Sequence, residues 1–479
     1  MNRFFDDKPD YRFEPPQAVF ARFEQSEPVD LRDAEDAVVA FEAVDANWLL
    51  RWERFDYKRP GALETHWAAY WKDLGRSSPV ESDAFADIPI YRFEFTTPRG
   101  GPFFDEVEKF ETVPRWFLFI RDDHGLPMDV FGNLFAAPVT AQYNVSLAPD
   151  EVAPGLDTVF DMGVWPDASE ADIRAAASAA RSSDFLGVFD IGQGSASALL
   201  DGSRQPELYF DLGCGVYRNA NTSPTPLRFC WTNRPPVVLS HWDADHWAGG
   251  LKDPSALPRT WVAPRQSIGP VHAGFANSIV QAGGRVLIWG NAQQSVTTRS
   301  GPRQVTVSRC LGTGRNGSGL VLTAEDQRTN QSWLLTGDAG YHELSIALPS
   351  NLSAVVIPHH GATMNHKSVP PAPGGSIGNR RLLYSFGSGN KHGRTAVQHP
   401  TAQAVALHHS HGWNQGAWRA ATIPGNVVAG GDVVSTATHP NGRLGGVIVS
   451  WIGPPNPSPT PCGAILGQPQ SCSISLDQS

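Results

Sequence analysis

The chain is poor in cysteine: Cys214, Cys230, Cys310, Cys462 and Cys472 are the only five in 479 residues. So few and so scattered, they predict neither a disulfide framework nor a thiolate zinc cluster. No apolar run approaches the length needed to span a bilayer. The opening Met1-Asn2-Arg3-Phe4-Phe5-Asp6-Asp7 soon turns acidic with no apolar stretch behind it, so no signal peptide is expected. Positive charge is short as well, because 38 Lys and Arg face 48 Asp and Glu, a formal charge of -10. That balance argues against a nonspecific nucleic-acid coat. It leaves a nucleic-acid substrate open, since bound divalent ions would reverse the sign locally. The expectation is a cytoplasmic protein without membrane contact. At 479 residues the chain exceeds what one compact core fills, which predicts two domains.

What the sequence does have is concentrated at Val237-Val238-Leu239-Ser240-His241-Trp242-Asp243-Ala244-Asp245-His246-Trp247-Ala248-Gly249-Gly250. A strand-type apolar run delivers two histidines and two carboxylates within six residues. If the chain turns at the strand end, the four groups fan around one point. A metal site needs this, since its ligands must be held rigidly in position.

His-x-Asp-x-Asp-His before a Gly pair resembles the metallo-β-lactamase superfamily, and within it the ComEC-like branch, the soluble part of DNA-uptake proteins. The superfamily's usual form is His-x-His-x-Asp-His, and Asp in place of the second His occurs in that branch. The other family blocks stand in the same order. They are Phe189-Asp190-Ile191-Gly192-Gln193-Gly194, Tyr209-Phe210-Asp211-Leu212-Gly213, Asn316 to Leu322, Leu334-Leu335-Thr336-Gly337-Asp338-Ala339 and Ile357-Pro358-His359-His360-Gly361. The match covers roughly residues 184 to 452.

The resemblance implies an α/β fold, an αββα sandwich, and a centre of two divalent ions, Zn²⁺ or Mn²⁺. His241 and Asp243 would hold the first ion; Asp245, His246 and His359 the second; and Asp338 would bridge them. His360 would be a proton donor or neighbouring support, or the two histidines exchange roles. A hydroxide bridging two cations is the implied nucleophile. Tyr384 to Asn390, followed by His399-Pro400, resembles a further block. Ser388, Asn390, Lys391 and His392 are its candidate substrate-binding residues, with Arg394 adding positive charge. Either His399 or His392 serves leaving-group chemistry. The sequence departs from the family at two points. Ser195 stands where relatives carry Asp, and His272 is the only histidine between His246 and Asp338. Its setting does not look like a ligand block, so the first ion lacks a residue. Aspartate at 243 hardens that half and favours Mn²⁺ or Mg²⁺ more than a His-rich zinc site would.

Residues 1–180 read as a separate N-terminal α+β domain of unassigned role. Thr65 to Trp71 is a helical candidate, and Ile90 to Phe95, Trp116 to Ile120 and Val139 to Val145 are strand candidates. Dense aromatics there, Trp48, Trp52, Trp67, Trp71 and Trp116 among them, read as packing. Asp167 to Ala180 opens a linking helix. Residues 184–452 read as the catalytic domain, Thr436 to Val449 as its closing strand pair, and 453–479 as a Pro- and Ser-rich tail. The functional expectation is a metal-dependent hydrolase acting on a phosphodiester, a short single-stranded nucleic acid or a nucleotide, with a protein partner docking on the N-terminal domain. The alternatives are a metal-binding interaction protein with weak or no catalysis, and a hydrolase of another ester class.

Overall fold

The computed structural model describes residues 1–7, 13–28, 36–76, 83–98, 115–374, 380–392, 398–414, 431–437 and 446–451. Arg394, residues 438–445 of the expected closing pair and the tail 453–479 with Cys462 and Cys472 lie outside them. The chain divides into two compact units. The first comprises Met1–Pro166, Arg265–Val286 and Lys391–Ala396; the second comprises Asp167–Pro264, Leu287–Asn390 and Val397–Ser479.

The first unit is built on five antiparallel strands, β1 (Ala18–Pro28), β2 (Asp36–Asp45), β3 (Ile90–Pro98), β4 (Trp116–Phe131) and β5 (Val139–Leu147), in that spatial order. β1 also pairs with β4, which closes β1 to β4 on themselves and leaves β5 on the outside of β4. Alternation selects the inward residues: Val19, Ala21 and Phe23 on β1, Val39, Phe41 and Ala43 on β2, Phe93 and Phe95 on β3, Phe117 and Phe119 on β4. Phe41 sits at their centre, edge-on to Phe23, Phe117 and Phe119 at ring separations of 5.7, 5.4 and 5.1 Å. The helix Pro60–Trp71 buries Trp67 and Trp71.

Helix Pro270–Gln281 belongs to this unit and carries His272, which is fully buried. His272 Nε2 lies 2.6 Å from Glu42 Oε1 and 3.9 Å from Glu24 Oε1, while Arg92 pairs with both Glu24 and Glu94. Glu24, Glu42 and His272 also stand at ligand spacing, apart from the second unit's cluster, and Arg92 supplies this group with a cation. His272→Ala is expected to lower stability by about 3 kcal/mol, because it removes the imidazole beside buried Glu42 and leaves the Val271 N–H among its remaining partners. Denaturant unfolding measures this, and the metal content of the folded variant should equal the wild type's.

The second unit contains two seven-stranded sheets. In chain order the strands are β6 (Phe185–Val188), β7 (Ala196–Leu200), β8 (Pro206–Leu212), β9 (Val237–Val238), β10 (Thr260–Pro264) and β11 (Arg285–Trp289). Then come β12 (Ser295–Ser300), β13 (Arg303–Arg309), β14 (Leu320–Asp326), β15 (Gln331–Leu335), β16 (Leu352–Val356), β17 (Arg381–Tyr384) and β18 (Val433–Ser435). Last, β19 (Val447–Ser450) returns to pair with β6. The sheet orders are β11-β10-β9-β8-β7-β6-β19 and β12-β13-β14-β15-β16-β17-β18. In each, an antiparallel run made by hairpins (β6-β7-β8; β12 to β15) gives way to a parallel run (β8-β9-β10; β15 to β18). One apolar core joins the two, with Leu186, Leu199, Phe210 and Val238 of one sheet packed among Val307, Leu322, Trp333 and Val356 of the other. Trp333 and Trp451 stack flat at 3.5 Å. The linking helix is Glu170–Ala177, capped by Ser169, and it turns Ile173 and Ala177 into that core. Alternate residues of the second sheet, Val321, Leu334 and Val355, face a separate cluster with Val405 of helix Ala402–Ser410. Among the described residues no helix is long and apolar enough to cross a membrane.

After β6 the chain passes Asp190, which is 2 % exposed. One of its oxygens accepts from the Gly192 N–H at 3.3 Å and the other has no partner. Burial pushes this carboxyl up to about 7. Because its folded value is raised, the stability it supports is complete below the ordinary carboxylate pKa and is lost as pH rises through about 7. Asp190→Asn keeps the acceptor and removes the charge. It should stabilise the protein at pH 8 by roughly 3–4 kcal/mol and change little at pH 4, read from unfolding curves at the two pH values.

Candidate metal centre

The candidate residues gather at the carboxyl ends of parallel strands. His241 to His246 follow β9, Asp338 follows β15, His359 and His360 follow β16, and Ser385 to Asn390 follow β17. Asp211 ends β8 beside them. Glycines let the segment 240–246 settle among these strand ends. A Cβ on Gly213 would lie 1.7 Å from the Asp245 carbonyl oxygen. Gly337 has a left-handed φ of 59°, and a Cβ there would meet the Ser240 side chain at 2.5 Å.

The hydrogen bonds fix which nitrogen each imidazole presents. Asp211 accepts from the Ser240 N–H at 2.6 Å, from the Ser240 hydroxyl at 2.8 Å and from His246 Nδ1 at 2.9 Å. The Ser240 hydroxyl has one proton, already given to Asp211, so towards His241 it accepts from Nδ1, at 3.0 Å. His360 Nδ1 donates to the Ser385 carbonyl at 3.0 Å, since a carbonyl only accepts. All three rings therefore carry a proton on Nδ1, and each in its neutral form turns a lone pair on Nε2 inward. Second-layer partners of this kind orient metal-binding histidines.

The three Nε2 atoms and Asp338 Oδ1 are buried and without hydrogen-bond partners. Yet His246 Nε2 lies 3.1 Å from Asp338 Oδ1, and His360 Nε2 3.1 Å from Asp245 Oδ2. Lone pairs facing lone pairs at such distances repel unless positive charge, a bound cation or a second proton on the imidazole, lies between them. Burial works against a charged His246, but Asp338, Asp211 and Asp245 outweigh it and raise its pKa well above the ordinary imidazole value. Burial likewise works against a charged Asp338, and His246, His359 and His241 outweigh it, holding it well below the carboxylate range. The ligand atoms of His241, His246 and Asp338 lie within 4.8 Å of one another, as do those of Asp245, His246 and His360. These two groupings fit a divalent metal ion.

Asp338 faces both ways: Oδ1 towards His246, and Oδ2 towards His241 at 3.7 Å and His359 at 3.6 Å. His359 and His360 both have left-handed backbone, with φ of 48° and 53°, ahead of Gly361 at 82°. Two consecutive non-glycine residues in this region cost about 1–2 kcal/mol each. The conformation splays the rings, whose planes lie 73° apart with centroids separated by 6.2 Å. His360, rather than His359, joins the grouping of Asp245 and His246.

Of the remaining candidates, the His399 ring lies edge-on to His359 at 5.7 Å. Asn390 is buried, and its amide is fully engaged. It donates to the carbonyls of Gly387 at 2.8 Å and His399 at 2.6 Å, and accepts from the His399 N–H at 2.8 Å. It holds His399 in place. Ser388 is exposed at the tip of the same loop. Lys391, exposed, and His392, half-buried, fall in the first unit.

Asp243 is drawn elsewhere. Its Oδ2 lies 3.3 Å from His241 Nε2, and its Oδ1 lies 3.0 Å from the guanidinium of Arg315. Burial raises its pKa, and the charges of His241 and Arg315 overcome this to hold it far below the usual range. The sequence reading missed Arg315, although it stands next to the Asn316 block, and gave Asp211 no role beyond its block. The signal for Asp211 was present: a carboxylate closing a strand, two residues before a glycine.

No family model matches the chain, and no curated protein does. Among solved structures it is similar to Zn²⁺-bound PqqB from Methylobacterium extorquens, at 13 % identity and a TM-score of 0.24 over 35 % of this chain and 60 % of that one. It is also similar to the short form of human tRNase Z, at 13 % identity and a TM-score of 0.25 over 38 % of this chain and 80 % of that one.

Proposed function

We propose that the second unit is a metal-dependent hydrolase of phosphodiesters, built around two divalent ions, Zn²⁺ or Mn²⁺. The observation that carries the reading is the convergence of buried polar atoms from His241, His246, His360 and Asp338 that have no hydrogen-bond partner. When bound, divalent ions supply an acidified water and stabilise charge on a nonbridging oxygen. The chain's own residues do the rest. Asp211 and Ser240 keep the His241 and His246 protons on Nδ1, and the Ser385 carbonyl does so for His360. Asp338 offers one oxygen to each side of the centre. His399, seated against His359 and held by Asn390, is placed to give a proton to the departing oxygen. Ser388, Lys391 and His392 are proposed to contact the substrate.

The phosphodiester assignment is supported by resemblance to the metallo-β-lactamase superfamily's ComEC-like branch. The net charge of -10 favours a nucleotide or a short single strand over long duplex DNA. A cytoplasmic setting, and recruitment of substrate or a protein partner by residues 1–180, complete the proposal. Its test is hydrolysis of bis-p-nitrophenyl phosphate and of single-stranded DNA in added Mn²⁺ or Zn²⁺, before and after chelation. Turnover that chelation removes and the same ion restores is the expected result. Turnover unaffected by chelation would defeat the metal reading. Bound metal with turnover only on a thioester or lactam would reassign the ester class, and bound metal with no turnover on any of them would favour the interaction protein.

A further inference from the structure

The two halves of the centre are unequally prepared. On one side Asp245, His246 and His360 stand at ligand spacing, and among the described residues no cationic side chain is paired with Asp245 other than these histidines in the contacts of the centre. On the other side, the ligand-spaced groupings among the described residues include His241 but neither Asp243 nor His359. Asp243 faces Arg315 instead, and both side chains are 8 % exposed. A guanidinium stays protonated under any folding condition, so this cation is permanent. His272, the one histidine the chain offers between His246 and Asp338, is engaged with Glu42 in the first unit.

We propose that Arg315 is a built-in cation at the His241–Asp243 half, so that the protein holds one divalent ion tightly at the Asp245–His246–His360 half and admits a second only when Arg315 releases Asp243. The inference rests on the metal reading above and adds to it an order of binding. Arg315 sits in the short helix Gly314–Gly317, which follows a loop and precedes β14, and Gly314 has a left-handed φ of 69° with no atom within 4 Å of a Cβ. The contact itself is an ion pair at 3.0 Å without hydrogen-bond alignment, so Asp243 Oδ1 gives up no directional bond when Arg315 leaves. A dication entering beside Asp243 with Arg315 in place would meet like charge inside a buried site, where repulsion is poorly screened. Displacement relieves this, and a substrate phosphate is one group able to draw the guanidinium away, since Arg pairs well with phosphate. The second ion would then enter most readily when substrate is present.

The experiment uses the full-length protein stripped of metal and titrated with Mn²⁺ alone, followed by calorimetry and by electron paramagnetic resonance, which separates an isolated ion from a coupled pair. The wild type should bind one ion tightly and a second at least about tenfold more weakly. Arg315→Ala should tighten the second site by about tenfold or more and show the coupled-pair signal at lower Mn²⁺. Arg315→Lys, which keeps the charge, should resemble the wild type and controls for damage to the loop. Two ions of equal affinity in the wild type would overturn the inference and leave the metal reading standing, and so would Arg315→Ala binding indistinguishable from wild type. Absence of any bound ion in every form would overturn both.

Discussion

Asp338→Ala is expected to abolish both metal binding and hydrolysis, with turnover falling by at least about a thousandfold. Its carboxylate reaches several of the histidines at once, since one of its oxygens meets His246 and the other meets His241 and His359. Its removal takes away the carboxylate that faces His241, His246 and His359 together, leaving only Asp243, which is paired with Arg315, and Asp245 at the edges of the cluster. The effect separates from simple misfolding by a thermal readout. A ligand that binds only the folded state stabilises it by about 2.7 kcal/mol at a hundredfold excess over its Kd. Added Zn²⁺ or Mn²⁺ should therefore raise the Tm of the wild type and leave that of the variant unmoved. An Asp338→Ala protein still stabilised by either ion would show that the carboxylate is not needed to hold it.

The second large effect is expected at a residue with no functional group. Gly213→Ala places a methyl 1.7 Å from the Asp245 carbonyl oxygen, a backbone atom that cannot step aside as a flexible side-chain end can. The segment 240–246 would have to lift from its seat, and with it Asp245 and His246. Metal affinity should fall by about 100-fold or more, alongside a stability loss of roughly 3 kcal/mol. Gly301→Ala is the matched control. Gly301 has a φ of 57° and nothing within 4 Å of a Cβ, so that change should cost about 1 kcal/mol and leave metal affinity unaltered. Equal metal affinity in the Gly213 variant and wild type would contradict the packing account.

These two residues also show how far the sequence could be read. The blocks stand far apart in the chain, yet each ends a strand at the same place, and their glycines are the points where the segment after β9 comes into contact with other backbone. The motif and the order of blocks were therefore legible. What could not be read was pairing across long separations. Nothing local to His272 says that its helix packs in the first unit against Glu42, more than 200 residues earlier, because an apolar helix face fits either unit. Arg315 gave no sign of reaching Asp243, since an arginine in a Gly-rich loop is ordinarily solvated. The tandem His359-His360 was ambiguous for a different reason. Its rings diverge because of two left-handed backbone conformations, which no propensity for histidine predicts. Asn390 was legible as a candidate substrate amide, but its three hydrogen bonds to Gly387 and His399 were not, since they join loop positions nine residues apart.

The central claim is that His241, His246, His360, Asp245 and Asp338 form a divalent-metal centre. Its most direct test is the metal content of the purified full-length protein after loading with Zn²⁺ or Mn²⁺ and removal of excess ion, measured beside a His246→Ala variant shown to be folded. The account predicts at least one tightly held ion per wild-type chain and loss of that ion in the variant, because His246 belongs to both ligand-spaced groupings. A wild-type protein that retains no ion under either loading, or a folded His246→Ala protein that retains as much as wild type, would contradict it.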